Sequence, residues 1–305
     1  LKILITGSNG LLGQKLVKLI LDRGKDELIV TARGTNRLPY PEVNYQFDQM
    51  DITDQSRIDD VIDRHAPEIV IHTAAMTNVD QCETERENCW KLNVDAVEYL
   101  IKACARNSSF LLHLSTDFIF DGKEGPYDEQ AKANPISYYG ESKLAAEELL
   151  LNSNVKFAIA RTVLVYGIAH DMSRSNIVLW VKKSLEGGKP IKVVDDQLRS
   201  PTLAEDLAAG CYLIAEKRAQ GIFNICGKDL LTPYEMALKT AAYFNLDTST
   251  MERADASTFT QTAKRPPKTG LIIGKAIAEL GYAPHSFEEG INVLVEQMNT
   301  LGGNA

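Results

Sequence analysis

The chain has 305 residues, of which 44% are hydrophobic and 24% charged, and its formal net charge is -8. That length buries a full core, and the negative balance excludes a general binder of nucleic acid or of anionic membranes. An anionic substrate would need basic residues gathered locally. No run approaches the ~18 apolar residues of a membrane span. Cys82, Cys89, Cys104, Cys211 and Cys226 are odd in number and lack any CxxC spacing. They read as reduced thiols of a cytoplasmic protein, with no disulfide framework and no metal set. The first residue is Leu1 rather than methionine, so a short upstream segment is expected, and no signal peptide is expected before the first strand.

Lys2–Thr6 is a short apolar run, followed by Gly7, Gly10 and Gly13 and then an amphipathic stretch from Leu12 to Leu21. Strand, glycine turn and helix is the context of a dinucleotide-binding loop. Glycine permits the tight turn and the close approach of a pyrophosphate, and the helix N-terminus offers free N–H groups. The bland alternative is a plain turn before a helix. Glu27–Ala32 reads as a second strand ending at Arg33. The residue about 20 positions beyond the glycine loop meets the adenine ribose, where an acid suits NAD and an arginine suits NADP. Arg33, with Arg37 close behind, therefore favours NADP(H) over NAD(H), unless Arg33 is a solvated loop residue.

After a short extended piece, Asp54 or Thr53 caps a predicted helix over Gln55–Arg64, which Pro67 closes. Glu68–His72 is a buried strand leading to Thr73, Ala74 and Ala75, whose small side chains let a ligand pass closely. One long helix is predicted over Asp80–Arg106, with Trp90, Leu92, Val94, Val97, Leu100 and Ile101 as its apolar stripe. Phe110–Ser115 is the next strand, with Thr116 at its carboxyl end. Residues 118–135 read as a loop over the site, and Lys156–Ala160 as a sixth strand. This alternation predicts an α/β fold with a doubly wound, Rossmann-like parallel sheet that binds ligands beyond the carboxyl ends of its strands, the edge holding Gly10, Ala75 and Thr116.

The remainder predicts helices at 175–186, 203–218, 232–243 and 286–299, brief strands at 190–194 and 221–225, and loops around 195–201 and 264–270. The domain reading is a dinucleotide-binding domain over 1–167 and a smaller, discontinuous substrate-binding region over 168–305, with an element of 195–225 returned to the first. The tail 302–305 is expected to fray.

Tyr139 and Lys143 stand four apart before a strongly helix-forming run, Leu144–Leu151. On a helix they share one face. An ammonium beside a phenol is expected to lower the phenol pKa from its usual ~10, suiting it to exchange a proton with a carbonyl oxygen. Taken alone, the pair reads equally as a solvated surface helix. The order of glycine loop, Ser115-Thr116-Asp117 and Tyr139-x-x-x-Lys143 is far more specific, and it closely resembles the extended short-chain dehydrogenase/reductase family over essentially the whole chain.

Within it, several stretches resemble the dTDP-4-dehydrorhamnose reductase family: Ala74–Asp80, Ser115–Gly122, Asp196–Thr202 with Glu205–Ala208, and Arg265-Pro266. The resemblance implies reduction of the 4-keto group of a nucleotide-linked 6-deoxy sugar by NAD(P)H. It casts Tyr139 as proton donor, Thr116 as hydrogen-bond donor to the same oxygen, and Lys143 as holder of the nicotinamide ribose. It implies cofactor contacts at Gly7, Asn9, Gly10, Leu11, Leu12, Gly13, Arg33, Asp51, Ile52, Ala74, Ala75, Met76 and Asn93. Substrate contacts are implied at Asp117, Phe118, Leu164, Arg199 and Arg265. A homodimer is a further implication, and no metal-holding carboxylates are placed in this chain.

Two residues depart from that pattern: Leu164 stands where the family has a tryptophan, and Arg199 where it has glycine. Arg199 either binds a phosphate or pairs with Asp195 or Asp196. Asp117 either touches substrate or caps local backbone. His65, His72, His113, His170 and His285 form no ligand-spaced set; His72 and His113 read as core histidines, and Trp90 and Trp180 as core. One rival activity is a nucleotide-sugar epimerase or dehydratase, although dehydratases carry an Asp-Glu pair after the threonine where this chain has Asp117-Phe118. Another is a non-catalytic binding subunit, like the regulatory beta subunit of methionine adenosyltransferase.

Overall fold

The computed structural model describes residues 1–171 and 175–302. β1 (Lys2–Thr6), α1 (Leu11–Arg23) and β2 (Glu27–Ala32) come first. β3 (Gln46–Gln49), α2 (Gln55–His65) and β4 (Ile69–His72) follow. α2 starts at Asp54, whose carboxylate accepts from the Arg57 amide at 3.2 Å, satisfying a donor that the first turn cannot pair. Next are α3 (Val79–Thr84), α4 (Arg86–Trp90), α5 (Ala96–Asn107) and β5 (Phe110–Thr116). α6 (Tyr138–Leu151), β6 (Phe157–Thr162) and β7 (Val165–Tyr166) complete the first part.

The main sheet is parallel throughout, because β-α alternation returns each strand in the same direction. Its order is β10-β6-β5-β4-β1-β2-β3, where β10 is Gly221–Asn224, so a strand from late in the chain extends the sheet beside β6. Successive side chains alternate across it. Ile3, Ile5 and Val30 face α1 and its neighbour α8 (Ala204–Lys217), whereas Leu4, Ile29 and Val70 face α2, α5 and α6. Covered on both faces, the strands read as continuous apolar runs. The chain reverses its winding between β1 and β4, which opens the crevice in which such sheets bind ligands.

The remaining elements are α7 (Ile177–Glu186), β8 (Ile191–Val194), β9 (Thr202–Leu203), α9 (Pro233–Tyr243), β11 (Met251–Ala254) and α10 (Phe287–Gly302). β8 pairs with β11 and β7 with β9. Tyr166, Val178 and Phe287 centre one apolar cluster here, and Val181, Ile191 and Ala237 another. No helix among the described residues is long and apolar enough to cross a membrane. Of the tail, residues 303–305 lie outside the described residues.

Three expectations are corrected. The single helix over Asp80–Arg106 is broken at Glu85 (φ -117°, ψ 52°) and loosened into a π turn over Lys91–Asp95. That turn carries Asn93 inward, where it accepts from Met76 N at 2.9 Å and donates to Met76 O at 3.0 Å. Trp90 and Trp180 are not core: they stay 38% and 39% exposed. A helical stripe fixes which side chains share a face, not whether another element covers it. Arg199 pairs with neither Asp195 nor Asp196 by a hydrogen bond. Asp195 accepts from Thr232 Oγ1 at 2.7 Å and Asp196 from Ala256 N at 3.1 Å.

Candidate active site

β1 ends in a turn that only glycine fits. Gly7 adopts φ +70°, and a Cβ there would lie 2.9 Å from the backbone nitrogen of Ala74, in the loop after β4. A Cβ on Gly13 would collide with the Gly7 carbonyl and come within 2.7 Å of Ser8 Cα. α1 therefore starts pressed against the turn. Its Ncap is Gly10, no side chain caps it and no acid occupies its first turn, which leaves N–H groups and a partial positive charge facing the crevice. Asn9 ties the turn to the loop after β2, donating to Thr35 O at 2.9 Å and accepting from Arg37 N at 3.0 Å.

A cavity of about 760 Å³ runs from this turn across the sheet edge. Asn9, Gly10, Leu11, Leu12, Gly13 and Arg37 line one end, and Thr116, Asp117, Phe118, Tyr139, Lys143 and Leu164 the other. Ala75, Arg199 and Arg265 also line it. The remaining candidates lie off it. Gly7 shapes the turn from behind, and Arg33 is exposed, with its carbonyl accepting from Gln49 at 2.8 Å. Asp51 holds the Thr53 amide at 2.9 Å, and Ile52 packs into the apolar layer beneath α2. Ala74, Met76 and Asn93 form the loop wall and its brace rather than the cavity surface.

At the far end, α6 presents its first turns. Ser137 caps it by accepting from Gly140 N at 3.3 Å, and Gly140 must lack a side chain because a Cβ would strike the Phe118 carbonyl. Tyr139 stands edge-on to Phe118, with ring centroids 5.7 Å apart. Contrary to the expectation from its lysine neighbour, burial pushes the Tyr139 phenol up, and the Thr116 hydroxyl offsets this only partly. Desolvation disfavours the phenolate. The phenol is thus held as a proton donor.

Lys143 is buried and does not sit on the phenol. Its Nζ lies 3.1 Å from His113 Nε2, and burial draws its pKa down to about 8. Thr116 donates to Asp117 Oδ1 at 3.0 Å, while Thr269 donates to Asp117 Oδ2. Asp117 is raised by burial, against the opposing pull of Arg199 and both hydroxyls. Arg199 is consumed by the protein: it donates to the carbonyls of Leu198, Pro266 and Pro267 at 2.9, 2.7 and 3.0 Å, and to Gln197 Oε1 at 3.1 Å. Arg265 pairs with Asp80 at 2.7 Å. Leu164 is 43% exposed with φ +37°.

Sequence reasoning missed several supports, namely His113 beneath Lys143, Thr269 on Asp117, Asp80 on Arg265, and the brace of Arg161 on Glu147 behind α6. Each joins distant parts of the chain, and no local pattern announces it.

A helix N-terminus and a buried phenol at opposite ends of one crevice, on a doubly wound parallel sheet, define an NAD(P)-dependent oxidoreductase of the extended short-chain dehydrogenase/reductase class. The comparisons narrow this. The chain belongs to the family described as RmlD substrate binding domain, whose model matches residues 1–300. It is 31% identical over 302 residues to a dTDP-4-dehydrorhamnose reductase of Aggregatibacter actinomycetemcomitans, covering 95% of this chain and 97% of the relative. It is 31% identical over 253 residues to methionine adenosyltransferase 2 subunit beta of Bos taurus, covering 81% of this chain and 73% of that one.

Among solved structures, a dTDP-4-dehydrorhamnose reductase from Clostridium acetobutylicum superposes with a TM-score of 0.86 at 27% identity, covering 98% of this chain and 100% of the other. One from Bacillus anthracis, in complex with NADP, gives 0.82 at 26% identity over 97% and 98%.

Proposed function

We propose that the protein reduces the C4 keto group of a nucleotide-linked 6-deoxy sugar, dTDP-4-dehydro-L-rhamnose or a close analogue, with NADPH favoured over NADH. The observation that carries this reading is the single cavity joining the glycine turn to Thr116, Tyr139 and Lys143. The residues fit a dinucleotide: glycines at 7 and 13 let the turn close against the start of α1, that helix begins with no capping side chain and no acid in its first turn, and the buried Ser115 Oγ has no partner among the described residues.

When bound, the nicotinamide supplies a hydride to the carbonyl carbon. Tyr139, kept protonated by burial, gives its proton to the carbonyl oxygen, so hydride and proton together make the alcohol. Thr116 offers a second donor where negative charge develops, with the substrate oxygen competing against Asp117 for its proton. Lys143, held by His113 at the cavity floor, contributes a buried positive charge to the site and a donor for ribose hydroxyls. Arg37 lines the cavity beside the glycine turn, its amide donating to Asn9 Oδ1 at 3.0 Å, and a cation at that end supports NADPH. The relatives named as dTDP-4-dehydrorhamnose reductases support the sugar class.

The test is NADPH oxidation followed by absorbance with dTDP-4-dehydro-L-rhamnose, repeated with Tyr139→Phe. Turnover is expected to fall by orders of magnitude in the variant while cofactor affinity stays nearly unchanged; undiminished turnover removes the proton-donor role. The similarity to methionine adenosyltransferase 2 subunit beta favours a second reading, a binding subunit. A protein that consumes no NADPH with any keto-sugar nucleotide yet binds a partner enzyme tightly would fit that one instead.

A further inference from the structure

Beneath the cavity floor lies a stack of buried polar groups that neither hydride nor proton transfer uses. His72 on β4 and His113 on β5 are directly paired in register, and both are buried, at 2% and 1% exposure. Their rings stack with centroids 5.5 Å apart. His72 Nδ1 is satisfied by Thr6 Oγ1 at 2.8 Å. His113 meets the Lys143 ammonium through Nε2 at 3.1 Å, and its Nδ1 has no partner among the described residues.

A buried imidazole with one nitrogen unpaired is an expensive way to fill a core position. An aliphatic side chain, like those of Leu112 and Leu114 on either side, would pack there without that cost. What the imidazole adds is an acceptor. An ammonium offers donors only, so the neutral ring must present a bare Nε2 and carry its proton on Nδ1, the atom left unpaired.

We infer that His113 is the positioning residue for Lys143: its bare Nε2 anchors the ammonium at the cavity floor, and the unpaired Nδ1–H is the cost of that tautomer. The inference rests on the reductase reading for what Lys143 does, but the anchor itself is independent of it. The other titratable groups around Lys143 are Tyr139 and Glu147 on the same helix, Cys89 on α4 and His72 on β4. Glu147 is itself held by Arg161. Burial and the Lys143 charge hold both histidines neutral, with His72 pushed down to about 3. Of these groups only the Cys89 thiol is drawn down toward the range of Lys143, chiefly by the Cys82 thiol beside it, while Lys143 itself lies at about 8.

The first experiment needs no substrate and no variant that must fold. In 15N-histidine-labelled protein, the His113 resonances report which nitrogen bears the proton. The expected result is an Nδ1–H tautomer with bare Nε2, unchanged between pH 5 and 7; protonation at Nε2 overturns the anchor whatever the protein's activity.

The second uses a Cys89→Ser background, so that the thiol facing Lys143 does not titrate, and measures kcat/KM against pH. His113→Leu removes the acceptor, destabilises the ammonium and moves the alkaline limb down by about one pH unit. His113→Gln, which restores an oxygen acceptor, returns the limb toward its original place. Equal limbs in the Leu and Gln variants overturn the inference while leaving the reductase reading intact; absence of wild-type activity sinks that reading and leaves the tautomer result standing.

Discussion

Arg161 grips Glu147 through two parallel hydrogen bonds, Nε to Oε1 at 3.0 Å and Nη2 to Oε2 at 2.7 Å. The side chains are 5% and 1% exposed, so the fork ties β6 to the helix bearing Tyr139 and Lys143 inside the core. Removing one partner strands a buried charge at a cost of about 3–5 kcal/mol, whereas apolar replacement of both can be nearly neutral. Arg161→Met is expected to lower unfolding free energy by about that amount in urea titrations. The double variant Arg161→Met with Glu147→Leu should regain most of it; a neutral single variant would show that the fork holds nothing.

Gly13→Ala tests the glycine turn. The added methyl meets the Gly7 carbonyl and Ser8 Cα, neither of which is a flexible side-chain end. The turn must open or α1 must shift, which spoils the approach of a diphosphate to the helix N-terminus. Loss of NADPH affinity by about 100-fold or more in fluorescence titration is expected; unchanged affinity would place the dinucleotide elsewhere.

Lys143 destabilises the fold that uses it. Its pKa falls from 10.5 in a model peptide to about 8 in the folded chain. Below about 8 both states carry the proton, and the folded state bears the full cost of the buried ammonium. Between about 8 and 10.5 the folded chain has released a proton that the unfolded chain still holds, so wild-type stability rises with pH across that window. Lys143→Met should therefore be more stable than wild type at pH 7 by about 2 kcal/mol, after allowing for the lost bond to His113. The gain should shrink as pH climbs through the window. A constant difference between the two proteins would contradict the depressed pKa.

Arg37 and Asp171 meet across the cavity rim, Nη1 to Oδ2 at 3.4 Å, with both side chains at least half exposed. A 2′-phosphate would compete with Asp171 for the guanidinium. Arg37→Ala is expected to raise KM for NADPH by about 10-fold or more while sparing NADH, since the lost contact is charge-assisted. Asp171→Asn should favour NADPH. Arg33→Ala, off the cavity, should change neither; a larger effect there than at Arg37 would reassign the phosphate contact.

From the chain alone one can read whatever a single element encodes. Alternating strand and helix runs announce the parallel sheet, glycines at 7, 10 and 13 announce the turn, and the spacing of Tyr139 and Lys143 puts both on one helix, because local periodicity and backbone freedom are properties of adjacent residues. Burial, and hence the direction of each pKa, was decided by packing. Lys143 meets a histidine 30 residues away instead of the phenol beside it, and Arg265 meets an aspartate 185 residues away. Desolvation then lifts Tyr139 where spacing suggested a lowering. Such convergence depends on which strands lie side by side and which loops cover them, and those relations exist only once the sheet has closed its layers.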